Sequence, residues 1–190
     1  MDLLDTFVDV PLRDVRRDLH ARPEAGWKEF RSTALLAEAL DVLGYDVLLG
    51  TDTVDPEQRM GVPPADDIAA ARERARDEGA PEKYLKAMDG VTGLIATQQF
   101  GDGPVVGLRT DIDALSRQEA LDDDHRPARE GFASAHPGEM HACGHDAHAA
   151  IGLGAAREFA DGGFDGTLKF FFQSAEEGGR GGKPMAESGH

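Results

Sequence analysis

The stretch Thr167-Leu168-Lys169-Phe170-Phe171-Phe172-Gln173 runs directly into Ser174-Ala175-Glu176-Glu177-Gly178-Gly179. Three consecutive phenylalanines in a short apolar run predict a buried strand. The glycines of Gly178–Gly182 predict a flexible loop, and Lys183–Ser188 reads as a short helix. Two adjacent acids at the C-terminal end of a buried strand sit where α/β folds place their ligands. Working upstream, Asp146–Phe159 is alanine- and glycine-rich and reads as a helix. Gly93–Phe100 and Pro104–Arg109 read as two strands, and Gly101-Asp102-Gly103 between them reads as a hairpin turn. Alternating helices and strands make the class α/β, and the hairpin makes the sheet mixed.

Towards the N-terminus, apolar and charged residues alternate at helical spacing from about Asp5 to Arg22, where Pro23 ends the helix. A second helix is expected over about 27–43. Its apolar stripe is Phe30, Ala34, Leu35, Ala37, Leu40 and Leu43, and Gly44 suits the position after its end. Asp46–Leu49 reads as a short strand. Residues 51–90 differ: a Met60-Gly61-Val62-Pro63-Pro64 loop precedes a charged, alanine-rich helix over Asp66–Gly79 and another over Pro81–Met88. This segment reads as a helical surface insertion in one domain spanning 1–190. Ser116–Met140 is a long polar stretch. The chain stops at Gly189-His190 just after a short helix, which suggests a truncated domain.

The chain has 190 residues, 20 Lys+Arg and 36 Asp+Glu, for a formal net charge of −16. Such a balance repels nucleic acid and anionic membrane surfaces, whose binding rests on cationic side chains meeting phosphate. No run of 18 apolar residues suggests a membrane span, and no apolar segment near the start suggests a secretory signal, so a soluble cytoplasmic protein is expected. Only five of the cationic residues are lysines. An acidic, lysine-poor surface fits a protein kept soluble at high salt, a halophilic expectation. The single cysteine, Cys143, excludes both an intrachain disulfide framework and a four-cysteine zinc module.

Three constellations carry chemistry. In Met140-His141-Ala142-Cys143-Gly144-His145-Asp146-Ala147-His148, a thiol, three imidazoles and a carboxylate crowd a strand-to-helix junction, and thiolate and imidazole are preferred zinc ligands. Cys143 and His145, two apart, would point to one side of an extended segment. Asp146 would cap the following helix, and His145 and His148 are spaced to share a helical face. In the Glu176-Glu177 pair, one acid can bind a metal while the other takes a proton from water. In Arg109-Thr110-Asp111-Ile112-Asp113, the two acids alternate and so face one side. Either could bind a metal or orient a ligating histidine. Together the three describe a metal site.

Leu108–Leu115 (LRTDIDAL), Met140–His148 (MHACGHDAH) and Phe171–Gly178 (FFQSAEEG) resemble the amidohydrolase branch of the aminoacylase/carboxypeptidase family of di-metal peptidases. Arg16–Glu29 also resembles that family's N-terminal helix and Pro-Glu turn. The 51–90 segment and His125-Arg126-Pro127 with Gly131-Phe132-Ala133-Ser134 resemble most closely the p-aminobenzoyl-glutamate hydrolases within it. The resemblance implies the N-terminal part of an α/β/α metallopeptidase catalytic domain, with the family's inserted dimerisation domain absent from this chain. It implies two divalent metal ions, zinc or manganese, with Cys143, His145 and Glu177 as metal ligands. Glu176 corresponds to the general acid/base that activates water, and Asp113 to the acid supporting the metal cluster. Asp111 occupies the place where other branches carry a ligating histidine. The implied activity is hydrolysis of the amide bond of an N-acyl or N-aroyl amino acid, and the implied assembly is a homodimer, or a heterodimer with a related subunit, when full length. The alternative is a truncated, catalytically incomplete fragment that binds one metal or none. A hydrolase using Cys143 as nucleophile is a weaker rival.

Overall fold

The computed structural model describes residues 7–190. In chain order the elements are α1 (Leu12–Ala21), α2 (Phe30–Val42), β1 (Asp46–Leu49), α3 (Ala65–Asp77), α4 (Glu82–Met88), β2 (Leu94–Gln99), β3 (Val105–Asp111), α5 (Arg126–Arg129), α6 (His145–Ala160), β4 (Thr167–Gln173) and α7 (Gly182–Ala186). Among the described residues, no helix is long and apolar enough to cross a membrane.

The four strands form one mixed sheet in the order β1-β2-β4-β3. β1 pairs antiparallel with β2, β2 antiparallel with β4, and β3 parallel with β4. The expected hairpin between β2 and β3 is therefore not formed, because β4 lies between them. The Gly101-Asp102-Gly103 loop instead crosses the start of β4. A Cβ on Gly103 would lie 2.0 Å from the Asp165 carbonyl oxygen, and one on Gly101 1.9 Å from the Asp165 side chain. The glycines thus serve a close backbone crossing rather than a two-strand turn. The Phe-rich β4 buries best with a neighbour on each edge. Phe170 and Phe172 enter the main core, and Phe171 faces the other side of the sheet.

α2 and α6 cover one face of the sheet, with α1 packed on α6. The opposite face carries a smaller cluster of Val54, Val91, Ile95 and Met185. α2 is buried more widely than its expected stripe, since Leu36 and Ala39 are also fully enclosed. The reason is that α3 and α4 pack on its outer side. Ala71 and Ala75 of α3, and Tyr84, Leu85 and Met88 of α4, belong to the main core. The segment 51–90 is thus integrated by small residues of α3 and large ones of α4, and not merely laid on the surface.

Boundaries shift for local reasons. The expected start of the first helix at Asp5 lies outside the described residues, and α1 begins after Pro11, whose ring suits a helix entry but not its interior. α2 starts at Phe30 rather than near Trp27, which holds a left-handed φ of 67°. Its first turn is capped from a distance: the two Glu24 carboxyl oxygens accept the Arg31 and Ser32 amides at 2.8 and 2.7 Å. Gly44 ends the helix as expected, at φ 88°. The polar stretch 116–140 wraps around α1, held by buried Glu119, which bonds His20, His125 and the Ser134 amide.

Candidate metal centre

The parallel pairing of β3 with β4 decides where the chemistry lies. Asp111 stands opposite Gln173 in the register, so both strands end at the same edge of the sheet. The Asp111–Asp113 and Ser174–Glu177 segments leave that edge side by side. The connection from β3 to β4 passes through α6, whose first residue, His145, arrives at the same edge.

Asp113, 1 % exposed, is the hub of this edge. Its two carboxyl oxygens accept the Glu176 and Glu177 amides at 3.0 and 3.1 Å. The His145 Nδ1 lies 2.9 Å from the Asp113 carbonyl oxygen and 3.2 Å from its carboxylate. This orients the imidazole with Nε2 outward, 3.5 Å from Asp111 and 3.8 Å from Glu176. Both alternating acids therefore do face one side, since both reach the same ring. Donor atoms of His145, Glu176 and Glu177 lie within 4.8 Å of one another, and so do those of Asp111, His145 and His148. His148 Nδ1 approaches Asp111 at 2.6 Å, while Arg109 holds the other Asp111 oxygen at 3.0 Å.

Cys143 is exposed and belongs to neither three-residue group. The neighbouring Glu177 carboxyl first, then burial and the other surrounding acids, push its pKa up to about 11. Burial works against the charged form of His145, but Asp113 and Asp111 outweigh it and raise the ring to about 9. Both shifts report the same concentration of negative charge. Glu177 Oε1 is buried without a hydrogen-bond partner among the described residues. A carboxyl oxygen so placed is costly unless something accepts its charge. With thiol, imidazole and carboxyl donors beside it, the residues present suit a divalent cation.

Two local expectations are corrected. Cys143 and His145 do not converge through an extended segment. Gly144 takes a left-handed φ of 85° and turns the chain into α6. Gly144 also occupies the cap position assigned to Asp146. The Asp146 carboxyl group, fully buried, instead meets Arg16 at 2.7 Å and His20 at 2.8 Å, tying α6 to α1. Of the assigned residues, the structure brings together His145, Glu176, Glu177 and Asp113, with Cys143 beside Glu177. Two residues at this edge lie outside the expected set. His148 carries a signal in its helical spacing from His145. Glu29, fully buried and bonded to the Ala175 amide, carries none.

Residues 107–190 match the model of Peptidase family M20/M25/M40. The chain is 48% identical over 197 residues to indole-3-acetyl-aspartic acid hydrolase of Enterobacter agglomerans, and 45% identical over 196 residues to a p-aminobenzoyl-glutamate hydrolase subunit of Escherichia coli. Each alignment covers 100% of this chain and 45% of the relative. The chain thus spans slightly under half the length of these curated relatives. Among solved structures, aminobenzoyl-glutamate utilization protein from Klebsiella pneumoniae superposes with a TM-score of 0.74 at 38% identity, over 94% of this chain and 40% of that one. The Bacillus subtilis YXEP protein, a dinuclear metal binding peptidase of the M20 family, does so with a TM-score of 0.64 at 31% identity, over 94% and 38%. The similarity supports the α/β fold class read from the sequence, as a partial catalytic domain.

Proposed function

We propose that this chain carries part of the active centre of a metal-dependent amidohydrolase. The observation that supports this most is the convergence of His145, Glu176 and Glu177 donor atoms within 4.8 Å, with one buried Glu177 oxygen lacking any hydrogen-bond partner among the described residues. Cys143, His145 and Glu177 would hold metal, with Cys143 as thiolate ligand rather than nucleophile. A divalent cation, zinc or manganese and two per complete site, supplies Lewis acidity and lowers the pKa of water. Glu176, its side chain 39% exposed, is the open member of the group and can accept a proton from water and return it to the leaving amine nitrogen. Asp113 fixes the His145 tautomer and the two acid-bearing amides, so the acids need no reorganisation during turnover.

The substrate is an N-acyl or N-aroyl amino acid of the p-aminobenzoyl-glutamate type, a reading supported by the names of the similar proteins. A homodimer, or a heterodimer with a related chain, is the proposed assembly, since one relative is named as part of a multi-chain hydrolase. A cytoplasmic, salt-adapted protein is proposed from the net charge of −16. Metal analysis combined with an assay of p-aminobenzoyl-glutamate cleavage, with and without added zinc or manganese, tests the reading. Metal uptake with turnover supports it. Metal uptake without turnover favours the incomplete fragment, a reading motivated by the 45% coverage of its relatives. No uptake by the chain removes the metal centre and favours the fragment that binds none.

A further inference from the structure

The acid pair at the end of β4 is held from behind by a segment far upstream. Ala175, immediately before Glu176, has φ 48°. That left-handed conformation is unfavourable for a residue with a Cβ and persists only when its surroundings over-determine it. Its amide donates to Glu29 Oε1 at 2.8 Å. The second Glu29 oxygen accepts the Thr92 hydroxyl at 2.6 Å, and the Thr92 carbonyl accepts the Ser174 hydroxyl at 2.6 Å. Three consecutive amides, of Ala175, Glu176 and Glu177, are thus each taken by a carboxyl oxygen, the first by Glu29 and the other two by Asp113.

The upstream segment is shaped for this approach. Trp27 is itself left-handed at φ 67° and almost wholly buried, with its indole N–H donating to the Met60 carbonyl at 2.9 Å. At Gly26, a Cβ would lie 3.1 Å from the Ala175 Cα, so the two backbones meet where a side chain would press them apart. The Glu24 carbonyl accepts the Ala114 amide at 2.8 Å. Residues 24–29 therefore touch both loops that leave the sheet edge. The Glu29 carboxyl, 0% exposed, reaches neither solvent nor the cluster of donor atoms.

We propose that Glu29 is a positioning residue for Glu176 and Glu177: its carboxyl oxygen holds Ala175 left-handed, and that backbone turn aims both acids at His145. The purpose served rests on the metal-centre reading, whereas the bracing is a property of this chain alone. Two readouts separate them. Amide hydrogen exchange at Ala175–Glu177 reports the bracing, and optical titration with Co²⁺ reports the donor set. Glu29→Gln keeps an acceptor oxygen, so protection and Co²⁺ affinity stay within about threefold of the unaltered protein. Glu29→Ala removes it, and exchange at Ala175 speeds at least about tenfold while α2 and β2 stay protected. Co²⁺ affinity then falls about 10–100-fold, as for other groups that orient metal ligands. Should Glu29→Ala not fold, Thr92→Val, which frees the second Glu29 oxygen at nearly constant volume, is expected to give the same localised loss in smaller degree. Unchanged exchange at Ala175–Glu177 in the folded variants, or Glu29→Gln as damaging as Glu29→Ala, overturns the proposal. If the unaltered protein takes up no Co²⁺, the metal-centre reading fails and the exchange arm still decides the bracing.

Discussion

Glu176 and Glu177 are neighbours in sequence with different surroundings. One Glu177 oxygen is buried and lacks a partner among the described residues, whereas the Glu176 side chain stays 39% exposed. On the proposed reading, this difference divides the labour between holding a cation and moving a proton. Glu176→Gln in a complete, active chain should therefore keep bound metal and lose about 10²–10⁴-fold in kcat, the range general acid–base catalysis contributes. Metal content and steady-state rates on the same preparation check it, and retained turnover removes Glu176 from the role. Asp113 acts on other groups instead. Asp113→Ala would orphan two part-buried amides and the oriented face of His145, and should lower stability on the order of 3 kcal/mol in urea unfolding. The ligand-type residues were legible because thiol, imidazole and paired carboxyl groups cluster in short motifs. Glu29 was not, since 146 positions separate it from the amide it accepts.

At the scale of elements, the strands and most helices follow from apolar periodicity, and β1 and β4 begin and end where their residue patterns place them. Strand pairing did not follow. Gly101-Asp102-Gly103 has the composition of a hairpin turn, yet its glycines accommodate Asp165 as the chain enters β4. Gly103→Ala would drive a Cβ into the Asp165 carbonyl oxygen, 2.0 Å away. A destabilisation of about 1–3 kcal/mol is expected. Denaturant unfolding measures it, and a neutral result would mean the crossing is looser than described. The α3–α4 segment likewise looked peripheral because its inward residues include the small Ala71 and Ala75, which carry little apolar signal although they are buried.

Over the whole molecule, buried charge pairs set the pH dependence. Pairing with Asp146 and Glu119 outweighs burial and raises the pKa of His20 above 6.5, and Glu78 does the same for His136. A raised folded-state pKa contributes stability that is present below about pH 6.5 and lost as pH rises through the folded value. Burial first, then Asp113, pushes Glu29 up to about 8, so its contribution also declines as pH climbs from 4.5 towards 8. In the other direction, Glu119, Glu139 and Asp146 are held below their ordinary values by their cationic partners and hydrogen bonds, against burial. Their contribution is lost only as pH falls through those lowered values. Melting temperature should therefore peak on the acidic side of neutrality and fall towards pH 9, and a scan that rises steadily from pH 6 to 9 would contradict it. The net charge of −16 adds a second whole-molecule expectation. Screening of self-repulsion should raise the melting temperature as KCl increases from low to molar concentration, whereas an optimum at low salt argues against salt adaptation.

Residue chemistry and periodicity are local properties, and they were enough for the α/β class, the Phe-rich strand and the residues that meet at its end. Strand order, the Glu24 cap on α2, the partners of Asp146 and the grip of Glu29 on Ala175 were decided only by the tertiary structure. Every strand edge offers the same backbone groups, so nothing along the chain names its neighbour. That choice falls to the arrangement that buries Phe170 and Phe172 and leaves the fewest polar groups unpaired.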